Sequence, residues 1–152
     1  MFDRVLCVCT GNLCRSPMAQ GLLAARFEGP GPIVESAGTA APAGAPAVAD
    51  VIELMSARGI DLTEHRARAV TPDLLRGSDL VLAAEQAHVR ELLRLAPTLR
   101  GRVFRLGHWR DLDIPDPIRG PREEFERCLA RIEACLGDWM PHLQSRSAAH
   151  HD

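Results

Sequence analysis

An uninterrupted apolar run, Val5-Leu6-Cys7-Val8-Cys9, ends abruptly in the small, turn-prone residues Thr10-Gly11-Asn12. Five consecutive apolar side chains point to a strand buried on both faces, because a half-solvated strand alternates apolar and polar positions. A strand of that kind belongs in a parallel sheet with helices above and below it. The rest of the chain supplies the partners. Residues 33–36, 79–83 and 103–106 read as three further short strands. Between them lie stretches of helical period: Met18, Leu22 and Ala25 share a face of a segment running from Ser16 to about Phe27, which stops in Gly29-Pro30-Gly31-Pro32. Val48, Val51, Ile52 and Met55 mark a second helix ending near Gly59, and Val89, Leu92 and Leu93 face inward from a third over 85–95. The last helix is the clearest, with Phe125, Cys128, Leu129, Ile132, Leu136 and Trp139 at helical spacing until Pro141, which is expected to break it. The expected fold is therefore α/β, one domain over residues 1–143 built on a four-stranded parallel sheet flanked by helices on both faces. Residues 144–152 read as a flexible tail.

Composition narrows the function. A chain of 152 residues buries an adequate core without disulfides or metals. A formal net charge of −2 gives bulk electrostatics no reason to recruit nucleic acid or an anionic membrane, so an anion must be held by a local device. The apolar run after Arg4 is too short for a signal peptide, and no stretch approaches the ~20 apolar residues of a membrane helix, so a cytoplasmic location is expected. Five cysteines, three crowded at Cys7, Cys9 and Cys14 and two remote at Cys128 and Cys135, do not form a secreted disulfide framework. Cys7 and Cys9 lack zinc-knuckle spacing, and His65, His88 and His108 match no compact metal motif. Neither metal nor cofactor is expected. Cys7 reads as a packed small hydrophobe, His88 as a surface residue, and His65 with Arg66 as a loop brace.

The segment Cys9-Thr10-Gly11-Asn12-Leu13-Cys14-Arg15-Ser16 lies between the first strand and the first helix, at the strand end where α/β sheets bind ligands. Five residues between a cysteine and an arginine make a loop short enough to curl around one tetrahedral oxyanion. Its N–H groups converge, and the following helix adds its unpaired N-terminal donors. Gly11 is expected to remove a Cβ that would obstruct the curve, and Asn12 tolerates positive φ. Ser16 is a candidate helix cap, with Pro17 in the first turn. The Arg15 fork matches two phosphate oxygens in a way that lysine does not. Helix terminus and guanidinium together favour a thiolate at Cys9 over the thiol, and the Ser16 hydroxyl can add a hydrogen bond to the sulfur. Cys9 is then a nucleophile that needs no histidine base.

The stretch Val8-Cys9-Thr10-Gly11-Asn12-Leu13-Cys14-Arg15-Ser16-Pro17 resembles the phosphate loop of the low-molecular-weight protein tyrosine phosphatases. The resemblance spans nearly the whole chain: Ser36-Ala37-Gly38-Thr39, Asp61-Leu62, His65-Arg66-Ala67-Arg68 and Asp113-Ile114-Pro115-Asp116-Pro117 each have a counterpart. It implies that family's fold and its reaction, hydrolysis of phosphate monoesters, protein phosphotyrosine above all, through a phosphocysteine. It implies Cys9, Arg15 and Asp116 as catalytic residues, with Asp116 ahead of Asp113 as the acid. Thr10, Gly11, Asn12, Leu13, Cys14, Arg15 and Ser16 become the phosphate-binding loop, and Cys14 a candidate redox partner of Cys9. Phosphorylated protein or a small aryl phosphate is the implied partner; oligomeric state is open.

Departures from the family fall at the substrate rim. An aromatic usually follows the Asp-Pro pair, where this chain has Ile118, and another usually stands near 41–43, where it has Ala and Pro. The chain has no tyrosine. Leu13 and Ile118 are expected to form a shallow apolar rim, with Trp109 a candidate third wall. Two rival readings remain at this point. One is an arsenate reductase on the same scaffold using an external thiol, since 16–127 holds no cysteine for an internal relay. The other is a non-catalytic module that binds phosphate or phosphoprotein.

Overall fold

The structure is a computed structural model and describes residues 2–149. Its elements follow the order β1 (Arg4–Cys9), α1 (Arg15–Ala25), β2 (Ile33–Gly38), α2 (Ala49–Ser56), α3 (Pro72–Arg76), β3 (Leu80–Ala83), α4 (Gln86–Leu95), β4 (Val103–Arg105) and α5 (Arg122–Ala149). Short 3₁₀ turns cover Pro97–Leu99 and His108–Arg110.

The strands form one parallel sheet in the order β2-β1-β3-β4. Alternate residues of β1 and β3 serve opposite faces. Val5, Cys7, Leu80 and Leu82 join Met18 and Leu22 of α1 and Leu129 and Ile132 of α5 on one side. Leu6, Val8, Val81 and Ala83 join Leu75, Val89 and Leu92 on the other. Val5 to Cys9 are each 2% exposed or less, the double-sided burial that an unbroken apolar run requires.

One element was not expected from the sequence, and one expectation differs from what forms. The five-residue α3 is too short for a periodic signature; it starts where the Thr71 side chain accepts a bond from the Leu74 N–H and Pro72 takes the first turn. Pro141 does not end α5, which continues through it to Ala149. A proline inside a helix costs about 3 kcal/mol. Trp139, Met140 and Leu143, on both sides of it, are buried in the same core, and each such side chain contributes about 1.5–3 kcal/mol, so burial outweighs the break. The segment expected as a tail is thus helical over 144–149, and residues 150–152 lie outside the described residues.

β1 connects to β2 on one side of the sheet, while β3 lies on the other. The loops leaving β1 and β3 therefore diverge, and the crevice between them is the place where open parallel sheets bind ligands. Among the described residues no helix is long and apolar enough to cross a membrane.

Candidate active site

The loop leaving β1 wraps a cavity of about 200 Å³ lined by Cys9, Thr10, Gly11, Leu13, Cys14 and Arg15 from below and by Ala40, Pro42, Asp116 and Ile118 around the mouth. The Cys9 sulfur is at the base, 3.0 Å from Ser16 Oγ and 3.3 Å from the Asn12 N–H. Helix α1 begins at Arg15, so Ser16 is inside it rather than capping it. The Ser16 hydroxyl is committed to the sulfur and to Asn12 Nδ2, which donates to it at 2.8 Å. No side chain caps α1, leaving its first-turn N–H groups for an anion, and Pro17 sits where an N–H is not needed.

Asn12 holds the loop. It is fully buried at a φ of 56°, a left-handed conformation that asparagine accepts better than most residues. Its Nδ2 donates to Ser16 Oγ and, at 3.0 Å, to Ser36 Oγ on β2; its Oδ1 accepts from the Arg68 N–H at 3.0 Å. His65 Nε2 lies 2.7 Å from its carbonyl oxygen, so His65 braces the loop as expected, while Arg66 only donates to the carbonyls of Thr63 and His65. The close approach that excludes a side chain is not at Gly11, where an added Cβ would meet only Leu13 atoms at 3.4 Å. It is at Gly38, where a Cβ would stand 2.4 Å from the Thr10 carbonyl and 3.0 Å from the Asn12 nitrogen. Strand β2 must pass this close to carry Ser36 to Asn12.

Arg15 is 2% exposed and divides its guanidinium between scaffold and cavity. Nη1 donates to the Glu85 carboxylate and, at 2.8 Å, to the Ile114 carbonyl. Nη2 lies 3.5 Å from Thr10 Oγ1 and 3.6 Å from Asp116 Oδ2, on the cavity side. Burial alone would lower the Arg15 pKa, but the Glu85 hydrogen bond and the nearby Cys9 and Asp116 raise it above its ordinary value. The guanidinium stays charged.

The two aspartates of the last long loop part ways. Asp113 accepts from the Gln86 N–H at the start of α4 and from Arg105 Nη1 at 3.2 Å, and it does not line the cavity. Ile114, with no exposed surface, donates its N–H to the Ala84 carbonyl and gives its own carbonyl to Arg15, which ties the loop to the end of β3. Asp116 then reaches the mouth, with Oδ1 accepting from the Ile118 N–H at 3.1 Å and Oδ2 facing Arg15. Leu13 and Ile118 line the mouth. Trp109 does not. It stacks on His142 with centroids 4.1 Å apart and packs edge-on against Trp139, lining a separate cavity with Phe2 and Phe104. The 3₁₀ turn at His108–Arg110 directs it towards α5, so the third wall expected from Trp109 is absent.

His88 is not the surface residue its sequence position suggests. It is 5% exposed, and its Nε2 lies 2.8 Å from Thr10 Oγ1 while its Nδ1 accepts from the Glu85 N–H at 3.1 Å. Glu85 and His88, along with Ser36 and Arg68, are the site residues that sequence reasoning missed. The available signal was topological: Glu85 follows β3, the strand across the crevice from β1.

Burial raises the pKa of the other four thiols. Burial pushes Cys7 and Cys128 up to about 12, and burial with the nearby Asp116 also raises Cys14. All five cysteines are free.

The likeness to known proteins covers site and scaffold together. Residues 4–149 match the family model described as low molecular weight phosphotyrosine protein phosphatase. The chain is 43% identical over 145 residues to a probable low molecular weight protein-tyrosine-phosphatase, EpsP, of Ralstonia solanacearum, covering 95% of this chain and 99% of that one. Among solved structures, Vibrio vulnificus Wzb in complex with benzylphosphonate is 34% identical with a TM-score of 0.88, covering 94% of this chain and all (100%) of that one. The YwlE arginine phosphatase from Geobacillus stearothermophilus is 31% identical with a TM-score of 0.90, covering 98% and 97%. A cysteine and an arginine closing one loop at the crevice of a 2-1-3-4 parallel sheet, matched over nearly the full chain, settle where it belongs: the chain is a member of the low molecular weight phosphotyrosine protein phosphatase family.

Proposed function

We propose that Cys9, Arg15 and Asp116 perform the family's reaction, cysteine-based hydrolysis of phosphotyrosine through a phosphocysteine, in this chain. The observation that carries the assignment is that all three line the same cavity, with Cys9 at its base and Asp116 at its mouth. The phosphoryl group of the substrate sits in the loop, held by first-turn N–H groups of α1 and by the Nη2 side of Arg15. The Cys9 thiolate attacks phosphorus, the phosphorus–ester oxygen bond breaks, and Asp116 gives its proton to the departing oxygen. The carboxylate so formed takes a proton from water, whose oxygen attacks phosphorus. The sulfur–phosphorus bond then breaks, returning the thiolate, which Ser16 Oγ and the Asn12 N–H receive.

The substrate is a phosphorylated protein or a small aryl phosphate, bound with weaker selection for the ring than an aromatic rim gives. Leu13, Pro42, Ala40 and Ile118 offer apolar contact and no ring to stack on. The complex of the Vibrio relative with benzylphosphonate supports an aryl substrate, and the arginine phosphatase is a relative on the same scaffold named for a different phosphorylated group. Cys14 completes the proposal as a resolving thiol: when peroxide oxidises the Cys9 thiolate to a sulfenic acid and is itself reduced to water, the Cys14 thiol condenses with it to a disulfide, releasing a second water.

The test compares kcat/KM for phosphotyrosine peptide, phenyl phosphate, alkyl phosphate and phosphoarginine, with thiol-dependent arsenate reduction as a control. Turnover of the aryl phosphates within about a hundredfold of the alkyl ones, and little of phosphoarginine, is expected. Arsenate reduction without aryl phosphate turnover would overturn the assignment.

A further inference from the structure

His88 has both ring nitrogens engaged, and its partners decide where its proton lies. The Glu85 N–H can only donate, so Nδ1 must be a bare acceptor. The ring proton is therefore on Nε2 and is donated to Thr10 Oγ1 at 2.8 Å. That oxygen also faces Arg15 Nη2 at 3.5 Å. With His88 and Arg15 on its acceptor side, the Thr10 hydroxyl proton is turned away from both, toward the cavity that Thr10 lines. Through its backbone, the same imidazole also holds Glu85, whose carboxylate grips Arg15 Nη1.

We propose that His88 is a positioning residue for the phosphate clamp, which as the neutral Nε2–H tautomer turns the Thr10 hydroxyl proton toward bound phosphate and keeps Glu85 on Arg15. It touches neither substrate nor the reacting sulfur. The proposal rests on the phosphatase reading for its relevance to turnover, but phosphate binding reads it independently.

A protonation sensitivity is built in. A second ring proton would place Nδ1–H against the Glu85 N–H and release the start of α4. Burial disfavours that charge, and Arg15 adds to it, while Glu85, Asp113 and Asp116 favour it; burial and Arg15 prevail, holding His88 below its ordinary pKa. The clamp thus stays intact near neutral pH and is lost on acidification.

Two amide variants separate the arms. Asn at position 88 places its oxygen near the Nδ1 position and has nothing at Nε2, whereas Gln extends an N–H toward Thr10. The full chain is titrated calorimetrically with inorganic phosphate, which needs no turnover. H88N should weaken phosphate binding roughly tenfold, H88Q should recover most of that loss, and H88N placed on T10V should cost less than about twofold. For p-nitrophenyl phosphate the H88N loss should appear in KM more than in kcat. The acid-side decline of phosphate affinity should be shallower in H88Q, whose amide does not titrate. Equal losses in H88N and H88Q, or an H88N effect undiminished on T10V, would overturn the proposal, since either marks a general packing defect. Normal phosphate affinity in H88N would overturn it outright. If the parent binds phosphate with this pattern but turns over no aryl phosphate, the phosphatase reading fails and the positioning role stands.

Discussion

The loop at the base of the cavity and the loop at its mouth are held in opposite ways. Residues 9–16 are locked from every side: Asn12 alone makes polar contacts with Ser16, Ser36, His65 and Arg68, and none of its surface is exposed. The mouth loop is anchored at the buried Ile114 and runs out to Asp116 and Ile118, the latter 36% exposed. A loop that must present converging donors to a transition state gains from rigidity, because donors fixed in advance need no reorganisation. A loop that must admit a substrate and then protonate its leaving oxygen is tied at its root, through Asp113 and Ile114, and leaves Asp116 and Ile118 exposed at the mouth. The division predicts that damage to the base is severe for every substrate, while damage to the mouth depends on what is bound.

The largest effect is expected for C9S, which should lose roughly four or more orders of magnitude in kcat for all esters while still binding vanadate. R15K keeps the charge but loses the fork and the Glu85 and Ile114 contacts; kcat/KM should fall roughly 10²–10³-fold, again for all esters. D116N would break the comparison if it behaved the same way. Its defect should instead be large with phenyl or alkyl phosphate and small with p-nitrophenyl phosphate, whose phenolate leaves without a proton. A larger leaving-group-dependent defect in D113N would move the acid to the wrong side of Ile114 and contradict the geometry.

Smaller effects sharpen the same contrast. Gly38→Ala forces a Cβ against the Thr10 carbonyl, and chemical denaturation should show about 1–3 kcal/mol of destabilisation. I118Y adds a ring at the mouth and should lower KM for aryl phosphates roughly two- to tenfold while inhibition by inorganic phosphate is unchanged. Stability should also carry a modest pH term. The folded pKa of His88 lies below its unfolded value of about 6.5, so its stabilisation is complete above that pH and is lost as pH falls toward the folded value. A parent whose denaturation midpoint falls no faster than that of H88Q below pH 6.5 would remove that term.

What the sequence revealed and what it concealed follow the same division. Val5 to Cys9 announced a doubly buried strand because burial on both faces demands apolar side chains without alternation. Cys9, Arg15 and Ser16 were legible because the loop that joins them is local, and local geometry is written in consecutive residues. Glu85 and His88 were not: they reach Arg15 and Thr10 only because β3 lies beside β1, a pairing that no local pattern encodes. Asp116 was found by resemblance rather than spacing, and its separation from Asp113 depends on Ile114 docking at Ala84. Trp109 was misplaced for the inverse reason. Its neighbours in sequence belong to the mouth loop, but its ring partners, Trp139 and His142, are on α5. Pro141 misled because a local rule was outweighed by core burial on both sides of it.

The central claim is that phosphate passes through the sulfur of Cys9. The most direct measurement is acid quenching of the parent enzyme during steady-state turnover of p-nitrophenyl phosphate, followed by digestion and mass spectrometry of the peptide that spans residues 5–15. The account predicts a phosphoryl group on Cys9, absent in C9S. A phosphoryl group on any other residue, or undiminished turnover by C9S, would contradict it.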